Sequence, residues 1–369
     1  VNILTWLAAA FFLLGGSAVF PAEAAFNAFY VFGDGACTTT NNGATPPTSN
    51  YYYGKRYSNG RVWVEVLTQR QGLTYDANKN WSYFGQSSSA LVSNVSHFIV
   101  PANATNALFA VWACDADFVL DMEAFGGLTD ASYGTNITLW TNAIATHLSN
   151  HLTAITNLYA KGVRNLIALN AVDITKIPSF NGLPAANQFF VRQRISNFNT
   201  EYVELLNVVR NAYPGLKIWI PDIFTLLDDV EAHAANYGLT NLLNSSGIIS
   251  DAIDAGLTVT NGAGTNCVFW DPFDPTAKFH EVIADVVQQM VSPAVLTGLT
   301  NGSDGIHLAA SSLPLGLGGY VEGRTNLLSG SWVSEESFNS TNLAQSLFVP
   351  AATPPHFYRL RFPYAWSWP

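Results

Sequence analysis

Carboxylates stand just past the apolar runs of this chain, where a short strand would give way to a loop. Asp34 follows the run from Ala25 to Phe32, Asp115 and Asp117 follow Ala107 to Trp112, and Asp222 follows Leu216 to Ile220. A further acidic pair, Asp271 and Asp274, lies in Trp270-Asp271-Pro272-Phe273-Asp274-Pro275-Thr276. Two carboxylates brought close can act as general acid and base, as in glycoside cleavage, or can hold a cation. Asp274-Pro275 also has a plainer reading as a helix start, because Asp accepts from free amides and Pro suits the first helical position. Cys37 is the nearest thiol to Asp34, but a neighbouring carboxylate raises a thiol's pKa and opposes a reactive thiolate. His147 and His151 have the spacing of a metal pair on one helix face. The residues between them, Leu148-Ser149-Asn150, lack the glutamate of a His-Glu-x-x-His motif, so the pair reads as a solvated helix surface. No Gly-x-Ser-x-Gly elbow occurs elsewhere.

The elements that must carry these groups alternate along the first three-quarters of the chain. Ala25–Phe32, Ala107–Trp112, Val163–Leu169 and Leu216–Ile220 are apolar runs of strand length. Between them, Ile144, Leu148, Leu152, Ile155 and Tyr159 recur at three and four residues, as do Ile195, Phe198, Tyr202, Leu205 and Val209. Strands alternating with amphipathic helices predict a parallel sheet covered on both faces, with a site at the carboxyl ends of its strands. Past about Leu296 the pattern changes to short alternating segments: Gly319–Arg324, Ser331–Phe338, Ala344–Val349 and His356–Phe362. In the last, Tyr358, Leu360 and Phe362 alternate with Arg359 and Arg361, the period of a strand with one wet face. Residues 297–369 are therefore expected to form a compact β-rich module with Trp332, Phe357 and Tyr358 in its core.

Of the 369 residues, 49% are hydrophobic and only 11% charged, with a net charge of -10, so a neutral-polar surface covers an ordinary core. That charge, with no basic stripe, excludes nucleic acid and disfavours anionic lipid as partners. Ile3 to Phe20 is an apolar segment ending near Ala22-Glu23-Ala24, a small-x-small cleavage pattern. Residues 1–24 are expected to be a signal peptide, no transmembrane segment is expected in the mature chain, and the protein should be secreted, periplasmic or on the cell surface. Cys37, Cys114 and Cys267 are too few and too scattered for a zinc framework, and no metal or cofactor is expected.

Four ordered blocks resemble the GDSL/SGNH hydrolase family across residues 25–296. Phe32-Gly33-Asp34-Gly35 is similar to the family's Gly-Asp-Ser. Asn80-Trp81-Ser82-Tyr83-Phe84-Gly85 is similar to its Asn-x-x-x-Gly-Gly, and Trp112-Ala113-Cys114-Asp115-Ala116-Asp117 to its Gly-x-Asn-Asp. Asp271 to Thr276, leading to His280, is similar to Asp-x-x-His-Pro-Thr. Tyr57-Ser58-Asn59-Gly60-Arg61-Val62-Trp63 resembles the Ser-Asn-Gly-Arg-x-Trp that follows block one in many members. Thr325-Asn326-Leu327, Trp332 and Phe357-Tyr358-Arg359-Leu360 resemble small terminal β-modules of secreted bacterial proteins.

The resemblance implies a flavodoxin-like, three-layer α/β domain and hydrolysis of acyl or acetyl esters on lipids or polysaccharides. The family's chemistry uses a serine nucleophile, a histidine base held by an aspartate, and oxyanion donors including a glycine and an asparagine. Here Gly35 stands at the serine position, Asp274 at the histidine, Cys114 at the block-three glycine and Ala116 at the asparagine. Asp271 and the oxyanion glycine, Gly85, remain, while Asp34 and Asp117 match residues that brace loops. The resemblance would bring Asp34, Asp117, Asp271 and Asp274 to one rim, and would set Cys37 facing Cys114, close enough to test for a disulfide. Standard serine hydrolysis is not expected. The first expectation is a degenerate homologue that binds an acylated lipid or polysaccharide. A hydrolase with a reassigned carboxylate or Cys site is the second, and a structural surface protein the third.

Overall fold

The computed structural model describes residues 26–39, 50–125, 136–350 and 357–363. The expected signal peptide lies outside the described residues. Each apolar run of the first three-quarters becomes a strand: β1 (Phe29–Gly33), β2 (Leu108–Trp112), β3 (Asn165–Ala168) and β4 (Lys217–Trp219). They pair in parallel in the order β1-β2-β3-β4. On the free side of β1, Trp81 N donates to Val31 O at 2.8 Å and Tyr83 N to Gly33 O at 3.2 Å. Block two thus runs beside β1 as a rudimentary outer strand, giving the flavodoxin-like order with the first strand inside the sheet. β1 and β2 are buried at every position, as strands covered on both faces must be.

The layers are helices α1 (Trp63–Arg70), α2 (Ser88–His97), α3 (Cys114–Ala124), α4 (Ile137–Ala160), α5 (Ala185–Ala212), α6 (Ile223–Ala232) and α7 (Ala277–Val291). Ile144, Leu148 and Ile155 of α4 and Ile195, Phe198, Tyr202 and Val209 of α5 are buried, as their spacing predicts; in α5 Leu206 replaces Leu205 on the buried stripe. The solvated surface expected around His147 and His151 is not found. His151 is fully buried with Nδ1 2.9 Å from His147 O, and His147 lies 2.9 Å from Asp121 and 3.5 Å from Asp117. The acids of α3 draw His147 inward, and the histidine spacing alone could not show that.

Six antiparallel strands follow: β5 (Val295–Asn301), β6 (Gly305–Ser311), β7 (Gly318–Arg324), β8 (Val333–Asn339), β9 (Ala344–Pro350) and β10 (Phe357–Arg361). They form two three-stranded sheets, β10-β7-β8 and β5-β6-β9, around a shared core of Leu308, Leu313, Val321, Leu347, Val349, Leu360 and Phe362. The expected break between residues 296 and 297 falls inside β5. Leu360 and Phe362 point inward as the alternation predicts, but the expected aromatic core differs: Phe357 is 44% exposed and Tyr358 only flanks the core. Trp332 lies on the wet side beneath Arg359, 4.4 Å from its guanidinium carbon. Glu322 holds Arg359 at 2.8 Å and Arg361 at 2.6 Å, so the charged face of β10 is paired rather than free. Arg70 joins the two parts: its Nε donates to Asp285 at 2.8 Å, its Nη1 to Leu315 O at 3.1 Å, and its carbonyl accepts from Leu315 N.

Candidate functional site

β1 delivers Asp34 to the carboxyl edge of the sheet, where the chain turns through a short helical segment, Gly35–Cys37. Asp34 caps that turn by accepting from Ala36 N at 3.2 Å, and its own N–H donates to Trp112 O at 3.0 Å. Blocks one and three are therefore locked side by side. β2 leads directly into α3, whose phase sorts its acids. Asp115, Val119 and Glu123, four residues apart in turn, share one face, while Asp117 and Asp121 share another. The face with Asp115 lines the site, and the face with Asp117 is turned toward His147.

The fourth block is held by the Ser-Asn-Gly segment. Ser58 Oγ donates to Pro275 O at 2.9 Å, and Asn59 Oδ1 accepts from Ala277 N at 2.8 Å. A β-carbon at Gly60 would come within 2.7 Å of Ala277 Cβ, so this close approach requires glycine. Asp271 accepts from Phe273 N at 2.8 Å, Asp274 N at 2.7 Å and Tyr52 Oη at 2.9 Å. The helix-cap reading of Asp274 is corrected: Thr276 caps α7, accepting from Phe279 N at 3.3 Å. The Asp274 side chain makes no bond to the start of α7. It is 4% exposed, and its Oδ2 has no hydrogen-bond partner among the described residues.

These segments enclose a cavity of about 310 Å³. Asp34, Gly35, Ala36, Gly85, Asp115, Ala116 and Asp274 form its polar end, with Phe84, Val119, Leu120, Val172, Ile174, Ile177 and Phe273 as apolar wall and Glu123 exposed at its edge. A β-carbon at Gly35 would lie 3.0 Å from Asp274 Oδ1 and 2.8 Å from Phe84 Cδ2. Residue 35 and residue 274 therefore face each other across the cavity. Gly85 adopts φ 76°, in the left-handed region that favours glycine. Phe84 stacks on Tyr57 at 4.5 Å and meets Phe273 edge-on at 6.1 Å.

Of the residues expected at one rim, Asp34 and Asp274 meet at the cavity, and Asp117 and Asp271 do not line it. Asp117 turns back to accept from Ser88 N at 2.8 Å, and Asp271 stands behind Asp274. Cys114 lies beneath the site, donating its thiol to Leu169 O at 3.7 Å. The third carboxylate of the cavity is Asp115, and the helical phase of α3 is the signal that identifies it. Burial pushes the Asp34 carboxyl up to about 7, aided by the Asp117 charge and opposed by the Ala36 and Ala116 amides. Burial also drives Asp274 well above the usual carboxylate range, with Asp271, Asp34 and Asp115 adding repulsion. Asp115 is raised by burial and by Asp34, and Asp271 reaches about 6, chiefly through burial.

Cys37 lacks the exposure and the lowered pKa of a reactive thiolate. It is fully buried, accepts from Trp63 Nε1 at 3.3 Å, and has its thiol pKa pushed up by burial and by Asp34. The expected Cys37–Cys114 pairing is absent: all three cysteines are free. His280 is fully buried, and burial lowers its pKa to about 3, so it packs in α7 as a neutral ring. Among the described residues, no group of three or more His, Cys, Asp or Glu is arranged to hold a metal ion.

No family model matches the chain. A GDSL esterase/lipase of Arabidopsis thaliana is 28% identical over 158 residues, covering 37% of this chain and 42% of that protein. GDSL esterase/lipase EXL3 of the same plant is 26% identical over 145 residues, covering 36% of this chain and 39% of the relative. The chain thus spans about two-fifths of the length of the curated relatives it matches. Among solved structures, phospholipase A1 from Streptomyces albidoflavus NA297 aligns with a TM-score of 0.42 at 12% identity, over 72% of this chain and 100% of that one. The chain is thus similar, at low identity and over part of its length, to GDSL esterase/lipases.

Proposed function

We propose that this chain is a ligand-binding homologue of the GDSL esterase/lipases that does not perform serine-dependent ester hydrolysis. The observation that carries the reading is the pairing of Gly35 with Asp274. Where the family's serine would stand there is no side chain, and the group 3.0 Å from that empty β-carbon position is a buried carboxyl. Acyl transfer needs a nucleophile and a base that accepts its proton and returns it. Gly35 supplies no nucleophile. Ala116, at the family's asparagine position, supplies no side-chain oxyanion donor. What remains is a mostly apolar cavity with a polar end, the usual form of a small-molecule site. The apolar wall suits a ligand with a hydrocarbon body, such as an acylated lipid. The leader-like segment supports a secreted or surface-exposed protein.

A second reading, a hydrolase with reassigned carboxylates, is favoured by one observation: Asp34, with its pKa near 7, shares the cavity with Asp274, whose carboxyl is raised further. The test compares turnover of p-nitrophenyl butyrate by the unmodified chain and by Asp271→Ala. Equal rates at the buffer background support the binding reading. Robust turnover that Asp274→Asn abolishes would replace it with the second.

A further inference from the structure

We infer that the polar end of this cavity is built to receive a primary ammonium group, so that the ligand is a small organic amine with an apolar body. The inference rests on the binding reading above and names the chemistry of the ligand.

Three carboxyls, Asp34, Asp115 and Asp274, close the inner end of the cavity, and Glu123 stands at its edge. No Lys, Arg or His is among the residues lining it. Some acids that line or adjoin other parts of the fold are paired with bases. A larger cavity of about 660 Å³ contains Asp228 and Glu231, but Arg192 and Lys176 line the same space and bond them at 2.5 Å each. Asp285 has Arg70 at 2.8 Å. Asp274 has no such partner. Its Oδ2 is buried, unbonded among the described residues, and lies 3.4 Å from where a side chain at Gly35 would begin. An uncompensated buried acid is costly unless a partner arrives. At Gly35 no side chain competes for the space beside that carboxyl.

The chemistry of the walls selects among cations. A divalent metal is disfavoured because no described group of three or more acidic, His or Cys side chains is arranged to coordinate one. An ammonium group carries three donors and, unlike a metal, does not need three acids converging on one point. Beyond the acids, the lining is apolar and partly aromatic, with Phe84 and Phe273 beside Asp274. A carbon chain can lie there, and the ring faces favour a nearby positive charge. The volume of about 310 Å³ admits a small amine and falls at the low end for ligand cavities. An anionic headgroup would find no Lys, Arg or His in the lining to pair with it. Three raised carboxyl pKa values fit a site that receives a cation, because a bound ammonium would favour the ionised acids.

The test is calorimetric titration of the full chain with hexylammonium, 1-hexanol and hexanoate, three ligands of matched length and different head. Hexylammonium is expected to bind at least about tenfold more tightly than hexanol, with no detectable heat for hexanoate. Asp274→Asn should weaken hexylammonium by about thirtyfold or more, the loss expected when one partner of a buried charge pair is removed. Asp115→Asn, which keeps an acceptor for Val172 N, should weaken it in the same direction and guards against misfolding of the first variant. Hexanol or hexanoate binding as tightly as the amine overturns the inference, as does calcium displacing the amine at micromolar concentration. Silence toward all three ligands with no ester turnover also overturns it, while leaving the loss of serine chemistry intact. Ester turnover abolished by Asp274→Asn removes the binding reading itself.

Discussion

At the scale of single residues, the cavity acids set how stability responds to pH. Asp34 has an ordinary carboxyl value of 3.8 that burial raises to about 7 in the fold. Between those values the folded chain holds a proton that the unfolded chain has released, so stability falls as pH rises through that window. Asp115 and Asp274, raised in the same direction, extend the fall to higher pH. His147, raised by Asp121 and Asp117 against its burial, also contributes stability that is lost as pH rises. Buried His151 and His280, lowered to about 4 and about 3, act in the opposite sense, but only below their unfolded value of 6.5. Tm is therefore expected to be higher at about pH 6.5 than at about pH 8, and Asp274→Asn should flatten that slope in thermal melts. A Tm that rises over this interval would contradict the burial of these acids. Gly35 makes a further residue-scale prediction. A serine Cβ there meets Phe84 at 2.8 Å, so Gly35→Ser must displace that ring. The single variant should show a small loss of Tm and no ester turnover.

At the scale of elements, α7 separates capping from function at two neighbouring positions. Thr276 both caps the helix and donates to Cys267 O at 2.5 Å, whereas Asp274 contributes no bond to the helix start. Thr276→Ala should cost about 1–2 kcal/mol in urea unfolding, and Asp274→Asn should cost far less than Thr276→Ala at neutral pH. The reverse order would restore Asp274 as the cap. Asp-Pro-Thr offers two good capping residues in sequence, and only the turn preceding the helix decides between them. The same limit explains which other elements are legible. β1 and β2 announce themselves because strands buried on both faces read as apolar runs. β5 does not, since most of its side chains are exposed and its residues show no alternation. Asp34 and Asp274 can be placed from the ordered blocks, while Asp115 needs the phase of α3. His151, three residues after Leu148 and four before Ile155, lies on the buried stripe of its own helix, whereas the inward turn of His147 depends on acids of α3.

At the scale of the whole molecule, Arg70 ties the parallel-sheet part to the β-rich part through a buried pair with Asp285 and a bond to Leu315 O. Side chains of 7% and 2% exposure leave little water to replace the lost partner. Arg70→Ala should cost about 3–5 kcal/mol by stranding the Asp285 charge, and adding Asp285→Ala should recover part of that loss in denaturant melts. All four sequence blocks meet at one cavity, through Gly35, Gly85, Ala116 and Asp274. In a serine hydrolase, losing either the serine or the histidine costs roughly a millionfold in turnover, and losing both costs little more. The most direct measurement is therefore p-nitrophenyl butyrate turnover by the triple variant Gly35→Ser, Asp274→His, Ala116→Asn, set beside the unmodified chain. The account predicts background rates from the unmodified chain and detectable, serine-dependent hydrolysis from the triple variant. Turnover by the unmodified chain that matches or exceeds the triple variant would contradict it.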